Sequence, residues 1–241
     1  MIQNYTGHSD HVYALESINA DSMASGSLDQ TIQIWSISSG QTLRTINTPS
    51  GVISLLLLNN GFSLASGLNN GQIYIYNINN GNLGSSYIAH SGSVWDLLML
   101  GSDLLASSGG NTILVRNLTT NTNKLNLNGH SARVNRIKLV SLNTLASSSG
   151  DNTIKLWNLK DGTLIRNLTN HTDDICRSIE VLSDGKTFVS GSYDKRIIFW
   201  NITTGEIITS INTGLTIRAL TVLNLSSYGK YLTFYSKLDT V

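Results

Sequence analysis

Three sets of serine, histidine and aspartate recur along the chain: His8, Ser25 and Asp29; His130, Ser147 and Asp151; His171, Ser190 and Asp194. A hydroxyl nucleophile, an imidazole base and a carboxylate that orients it are the parts acyl transfer needs. A tryptophan follows each aspartate six residues later, at Trp35, Trp157 and Trp200. Three equivalent copies, each locked to a tryptophan, favour a structural network over a catalytic one. The Gly-x-Ser-x-Gly turn that exposes a hydrolase serine is absent from the sequence. A hydrolase remains the reading of a different class, and it requires one set to be open to solvent.

Other chemistry finds less support. Gly185-Lys186-Thr187 has the end of a phosphate-binding loop, but Glu180 stands where that motif needs its first glycine. His8 and His11 have a ligand-like spacing without further ligands, so neither a metal nor a cofactor is expected. Cys176 is the single cysteine, so no internal disulfide forms, and a surface thiol is the expectation.

The elements that position these residues repeat. Five segments end at Trp35, Tyr76, Arg116, Trp157 and Trp200, in steps of 40 to 43 residues. Upstream of them, and once more near the C-terminus, lie the apolar anchors Val12, Val52, Val94, Val134, Ile175 and Ile217. Four residues before the anchors come His8, His90, His130 and His171, with Thr48 and Thr213 in the other two slots. Alternation such as Thr153-Ile154-Lys155-Leu156-Trp157 has the period of a strand. Asn-Gly, Asp-Gly and Ser-Gly pairs punctuate the strands and suit tight hairpins.

This pattern resembles the WD-repeat family of β-propellers, whose units of about 40–45 residues carry Gly-His near the start and Trp-Asp near the end. Gly7-His8 and Gly129-His130 keep the first signature, while Trp35-Ser36, Trp157-Asn158 and Trp200-Asn201 stand where the second belongs. The resemblance implies an all-β chain of four-stranded antiparallel blades in one propeller domain over 1–241. Its units are 8–47, 48–89, 90–129, 130–170, 171–212 and 213–241, with 1–7 as the outer strand of the closing blade. Unit six stops where its tryptophan strand should begin. An incomplete sixth blade is expected, in an open ring or in a piece of a seven-bladed propeller.

The resemblance also assigns Trp, Ser, His and Asp to a buried hydrogen-bonded tetrad within a blade. Units one, four and five have all four residues. Unit two offers Thr48, Ser66, Asn70 and Tyr76, and unit three has Gly110 and Arg116 at the Asp and Trp positions. Arg116 is expected to snorkel at a blade edge.

By composition the chain is 40% hydrophobic and 13% charged, with 16 Lys plus Arg against 15 Asp plus Glu. A core can be buried, and the charge balance argues against nucleic acid despite the local cluster Arg133, Arg136 and Lys138. No apolar run approaches the length of about 20 residues needed to span a bilayer. The opening residues carry no leader pattern, so an intracellular, cytoplasmic protein is expected.

The family's role implies a non-catalytic scaffold, a monomeric propeller acting within a complex, that binds other proteins or peptide segments. The alternative within the same class is a substrate-receptor subunit of a ubiquitin ligase. Its docking motif, Trp-Asp-x-Arg, has Trp157-Asn158-Leu159-Lys160 as the nearest counterpart. The positions flanking each anchor, and the one before each structural aspartate, are expected at the binding face. They place His11, Arg133 and Asp174 before the anchors, and Tyr13, Trp95, Asn135, Cys176 and Arg218 after them. Tyr193 and Leu238 precede the aspartate position. Trp95, Tyr13 and Tyr193 would grip a peptide, with Arg133 and Arg218 favouring an acidic or phosphorylated segment, tempered by Asp174.

Overall fold

The computed structural model describes residues 4–175, 178–225 and 229–236, with 222 onward described as backbone. The described residues form twenty-two strands and no helix. The first sheet joins β1 (Val12–Asn19), β2 (Ser22–Ser27), β3 (Thr31–Ser36) and β4 (Thr42–Asn47). The second joins β5 (Val52–Leu57), β6 (Ser63–Leu68), β7 (Gln72–Asn77) and β8 (Leu83–Ile88). The third joins β9 (Val94–Met99), β10 (Leu104–Gly109), β11 (Thr112–Asn117) and β12 (Thr122–Asn128).

The fourth contains β13 (Val134–Ser141), β14 (Thr144–Ser149), β15 (Ile154–Asn158) and β16 (Leu164–Leu168). The fifth contains β17 (Ile179–Val181), β18 (Thr187–Gly191), β19 (Arg196–Asn201) and β20 (Ile207–Asn212). A sixth sheet has two strands, β21 (Ile217–Leu225) and β22 (Gly229–Ser236). Consecutive strands pair in every sheet, so each is an antiparallel meander of the propeller-blade type. Among the described residues the last blade is incomplete, as the repeat count implies.

The chain divides into two compact units, Met1–Gly110 with Leu114–Lys124, and Asn111–Ile113 with Leu125–Val241. The expected outer strand at 1–7 lies partly outside the described residues. Its described part is not in a strand, and Tyr5 instead packs edge-on against Trp35 with ring centroids 5.4 Å apart. Cys176, Tyr228, Leu238 and the chain end at Asp239–Val241 also lie outside the described residues.

Position within a blade decides composition. The second strands of the first four blades read Ala-Ser-Gly or Ala-Ser-Ser, and that of the fifth Val-Ser-Gly, because both of their faces are covered. In the first unit, Val52 and Leu55 of blade two join Ala24, Ile32 and Ile34 of blade one in a single core. In the second, Ile175 and Ile179 of blade five join Ala146, Ile154 and Leu156 of blade four. The fourth strands are the outermost and the most exposed: all six residues of β20 are exposed.

Repeated arginines tie neighbouring blades. Arg44 donates from Nη1 to the Asn80 carbonyl at 3.0 Å and from Nη2 to the Asn79 carbonyl at 2.7 Å. Arg166 donates to the Thr203 carbonyl at 3.1 Å in the same register three repeats later. The clamped turns contain Gly81 and Gly205 at φ 78° and 73°, left-handed backbone that glycine adopts without a side-chain clash.

Gly26 marks a close approach between two blades of the first unit. A Cβ there would lie 2.4 Å from Val52 Cγ1 and 3.0 Å from Val52 Cβ, both on a stiff β-branched residue. Gly26→Ala is expected to destabilise the fold by about 1–3 kcal/mol through overpacking. Gly92→Ala, with nothing within 4 Å of the added carbon, is the neutral control. Denaturant unfolding of both variants checks this, and equal midpoints would refute it.

Candidate functional site

Each complete set of serine, histidine, aspartate and tryptophan closes within its own blade. In blade one, Trp35 Nε1 donates to Ser25 Oγ at 2.7 Å, and His8 Nε2 lies 2.7 Å from the same oxygen. His8 Nδ1 is 2.8 Å from Asp29 Oδ2. Blade four repeats this with Trp157, Ser147, His130 and Asp151, all three distances being 2.8 Å. Blade five does so with Trp200, Ser190, His171 and Asp194, again at 2.8 Å throughout.

Proton placement follows from the inventory of donors. An indole can only donate, so the serine oxygen accepts from it and turns its own proton to His Nε2. The histidine then carries its proton on Nδ1 and donates to the carboxylate. This is the polarity of a catalytic triad, but the serines are enclosed. Ser25, Ser147 and Ser190 are buried, and each Oγ is already engaged by an indole.

The aspartates are held as anions. Burial works to raise the Asp29 pKa, but hydrogen bonds from Thr31, His8 and the Ser9 amide outweigh it and bring it down to about 2. Asp151 is lowered in the same way, against its burial, by His130, Thr153 and the Ser131 amide. Asp194 is lowered too, against its burial, by His171 and the Thr172 amide. Arg196 takes the place of the threonine there, its Nη2 2.8 Å from Asp194 Oδ2 and also bonded to the Asn170 carbonyl.

A second serine completes each network. Ser27, Ser149 and Ser192 are buried, and each hydroxyl donates to a carbonyl of the inter-blade loop: Asp10, Ala132 and Asp173 respectively. Each Oγ also accepts the amide of the tetrad aspartate at 3.0 to 3.1 Å. Loop and hairpin turn are thus fastened twice.

Blades two and three lack this arrangement. Tyr76 is buried and stacks on Tyr74 at 6.0 Å, while Ser66 Oγ donates to the Tyr74 carbonyl. In blade three His90 Nε2 lies 2.9 Å from Ser107 Oγ, with no carboxylate at the Gly110 position. Arg116 is half-buried rather than extended at the edge. Its guanidinium lies 4.3 Å from the Tyr87 ring centroid and donates to Asn121 and Asn123 at 2.6 Å.

The candidate partner-binding residues sit on a repeated backbone device. Tyr13, Ile53, Trp95, Asn135 and Arg218 each follow an anchor, and each occupies a register shift between the first and second strands. A β-bulge leaves its extra residue outside the ladder and re-aims its side chain. The residue before the anchor is joined to the residue before the aspartate. His11, Gly51, Arg133 and Asp174 carbonyls accept the amides of Leu28, Asn69, Gly150 and Tyr193 at 2.8 to 3.0 Å. The three positions of a unit therefore form one cluster.

Within the first compact unit, His11 and Tyr13 are exposed and Trp95 is half-buried, whereas Ile53 is buried. The second compact unit gathers more. Arg133 Nε donates to Asn135 Oδ1 at 2.6 Å, and Arg133 Nη2 lies 3.4 Å from Asp174 Oδ2. Asn135 is buried and donates to Asp174 Oδ1 at 2.7 Å and to the Ile175 carbonyl at 2.9 Å, so it positions its neighbours rather than facing solvent. Burial pushes the Asp174 carboxyl up from its ordinary value, against the opposing pull of Arg133 and Asn135. Arg218 lies over the Tyr193 ring at 5.5 Å. Among the described residues no group of three or more His, Cys, Asp or Glu could hold a metal ion. No described helix is long and apolar enough to cross a membrane.

The blades with complete tetrads match a known repeat: the model of the WD domain, G-beta repeat family matches residues 1–36, 121–158 and 162–201. The matched stretches contain the three full tetrads. Protein SPA1-RELATED 3 of Arabidopsis thaliana is 31% identical over 124 residues, covering 49% of this chain and 15% of that protein. Protein tipD of Dictyostelium discoideum is 26% identical over 204 residues, covering 83% of this chain and 28% of that protein. The chain spans less than a third of the length of either relative. WD repeats in general serve as protein-interaction scaffolds.

Proposed function

We propose that this chain is a non-catalytic scaffold that binds an extended protein segment at the loop-bearing ends of its blades. The observation that carries the reading is Arg133, half-exposed and held in place by buried Asn135 and by Asp174. Blade packing requires no charged group there, and arginine and aromatic residues dominate binding hot spots. A guanidinium fixed by neighbours loses little freedom when it meets an anion, so an acidic or phosphorylated segment suits it. Arg218 over Tyr193 adds a second cation in the same compact unit, and Tyr13, His11 and Trp95 form a separate candidate contact set within the other. The sealed tetrad serines support the non-catalytic part of this reading.

The test compares the intact chain with Arg133→Ala and Trp95→Ala in affinity capture from its own cells. Loss of a shared subset of partners, with unchanged thermal unfolding, is expected. The partners lost should also bind the original chain more weakly as salt is raised. Folded variants that retain every partner would place the site elsewhere.

A further inference from the structure

Blade two is covered differently from the blades with complete tetrads. In blade one Gly7 lies directly over the tryptophan, where an added Cβ would sit 2.7 Å from Trp35 Cη2, and Gln33 Nε2 donates to the Gly7 carbonyl at 2.7 Å. Gly129 lies over Trp157 in the same way, its added Cβ 3.2 Å from Cη2. Blade two has Asn47 at the glycine position, Tyr76 at the tryptophan position and Tyr74 in place of Gln33. A side chain in the covering segment and a smaller ring beneath it leave space. A cavity of about 480 Å³ is lined by Arg44, Ile46 and Asn47 of β4, by Pro49, and by Tyr74 and Tyr76 of β7, with the turn before β8. All of these residues belong to the first compact unit. Small-ligand sites occupy about 300–1,000 Å³.

The polar groups of this cavity are donors in need of an acceptor. Tyr76 is 5% exposed, and a buried phenol ordinarily has a hydrogen-bond partner. Among the described residues neither the Tyr76 nor the Tyr74 hydroxyl makes a hydrogen bond. Ser66, which would accept an indole proton in a complete blade, donates instead to the Tyr74 carbonyl. Burial pushes the Tyr76 phenol up to about 12, so it keeps the proton it would donate. Arg44 gives two N–H groups to the Asn79 and Asn80 carbonyls, which hold the guanidinium in place, and among the described residues it forms no ion pair. No Asp or Glu lines the cavity. Ile46, Pro49 and Leu83 supply an apolar wall.

We infer that this cavity binds a flat organic monocarboxylate, its carboxylate paired with Arg44 and hydrogen-bonded by the tyrosine hydroxyls, its apolar body against the tyrosine rings and the wall of Ile46, Pro49 and Leu83. A guanidinium and a carboxylate match in charge and in planar shape. Arg44 is the one cation lining the cavity, so a monoanion balances it, whereas a phosphate carrying about −1.5 to −2 would leave charge uncompensated. None of the candidate partner-binding residues lines this cavity, so the inference does not rest on the peptide-binding reading.

Benzoate is the test probe, with benzamide as its neutral counterpart. Each is titrated to about 10 mM into the full chain carrying ¹³C-methyl isoleucine and leucine, a range that captures a Kd near 1 mM. The Ile46 and Leu83 methyl resonances are assigned through Ile46→Val and Leu83→Val. Saturable shifts of both resonances with benzoate are expected, with benzamide binding at least tenfold more weakly. Tyr76→Phe keeps the ring and removes only an unpartnered hydroxyl, so it should weaken benzoate binding at least threefold with thermal unfolding unchanged. Arg44→Gln should weaken it at least tenfold, while Arg166→Gln, the matching clamp in the other compact unit, should leave it unaltered. No shift of either methyl, equal affinity for benzoate and benzamide, or full benzoate affinity in either folded variant, Tyr76→Phe or Arg44→Gln, would each overturn the inference.

Discussion

Ser147→Ala should destabilise the protein by about 2–4 kcal/mol, because one buried oxygen serves two buried groups. The Trp157 indole loses its acceptor and His130 loses the hydroxyl proton on Nε2, and neither has water to turn to. Ser190→Ala should cost a similar amount through Trp200 and His171. The same substitution grades down along the chain. Ser107→Ala removes a partner from His90 alone, since Arg116 replaces the indole, and should cost about 1–2 kcal/mol. Ser66→Ala strands only the Tyr74 carbonyl, whose second lone pair stays available to the strand ladder, and should cost less than about 1 kcal/mol. Denaturant midpoints of the four variants order the effects. Equal losses in all four would show that the serine methylene environment matters and the tetrad does not.

The same series separates structure from chemistry. If the serines were nucleophiles, Ser147→Ala would remove an activity and leave stability nearly unchanged. A tetrad predicts the reverse, and also that Asp151→Asn and Trp157→Phe fall near Ser147→Ala because they cut the same chain of bonds. Residues that act as one network are not additive, so the double variant Ser147→Ala with Trp157→Phe should cost less than the sum of its parts.

Much of this was legible in the residues themselves. The recurrence of His8, Ser25, Asp29 and Trp35 at fixed spacing reveals the blade, because a buried network tolerates few substitutions of type or distance. The incomplete last blade was legible for the same reason. What the pattern could not show was which flanking side chains reach solvent. Asn135 and Ile53 follow their anchors as Tyr13 and Trp95 do, yet both are buried. The bulge at that position re-aims the side chain, and its final surroundings depend on the neighbouring blade, which local sequence does not encode. The second serines, Ser27, Ser149 and Ser192, were visible two residues after the tetrad serine but look like ordinary strand residues. Their role emerges only when the inter-blade loop folds back over them. Arg196 in place of Thr31 and Thr153 is a further case, since a long cation and a short hydroxyl satisfy the same carboxylate by different routes.

Acidification should weaken the fold well before the tetrad aspartates titrate. Burial lowers the His90 pKa from 6.5 to about 4, because its blade has no carboxylate at the tetrad position to favour the imidazolium. Below pH 6.5 the unfolded chain takes up a proton that the folded chain refuses. Stability is therefore full above that pH and is lost as pH falls toward 4, by about 3 kcal/mol if the whole shift is expressed. His171 is also lowered by burial, against Asp194, and contributes in the same direction. A second decline follows at lower pH. Asp29, brought from 3.8 to about 2, contributes stability above pH 3.8 that fades as pH falls toward 2, by about 2 kcal/mol. Unfolding free energies at pH 7.5, 5.5 and 4.5 report the first decline. His90→Gln keeps a hydrogen-bonding side chain near Ser107 but cannot take up a proton, so it should flatten the slope between pH 6.5 and 4. Whatever it costs at pH 7.5, the slope is the readout, and a slope equal to that of the unaltered chain would rule out His90 as its source.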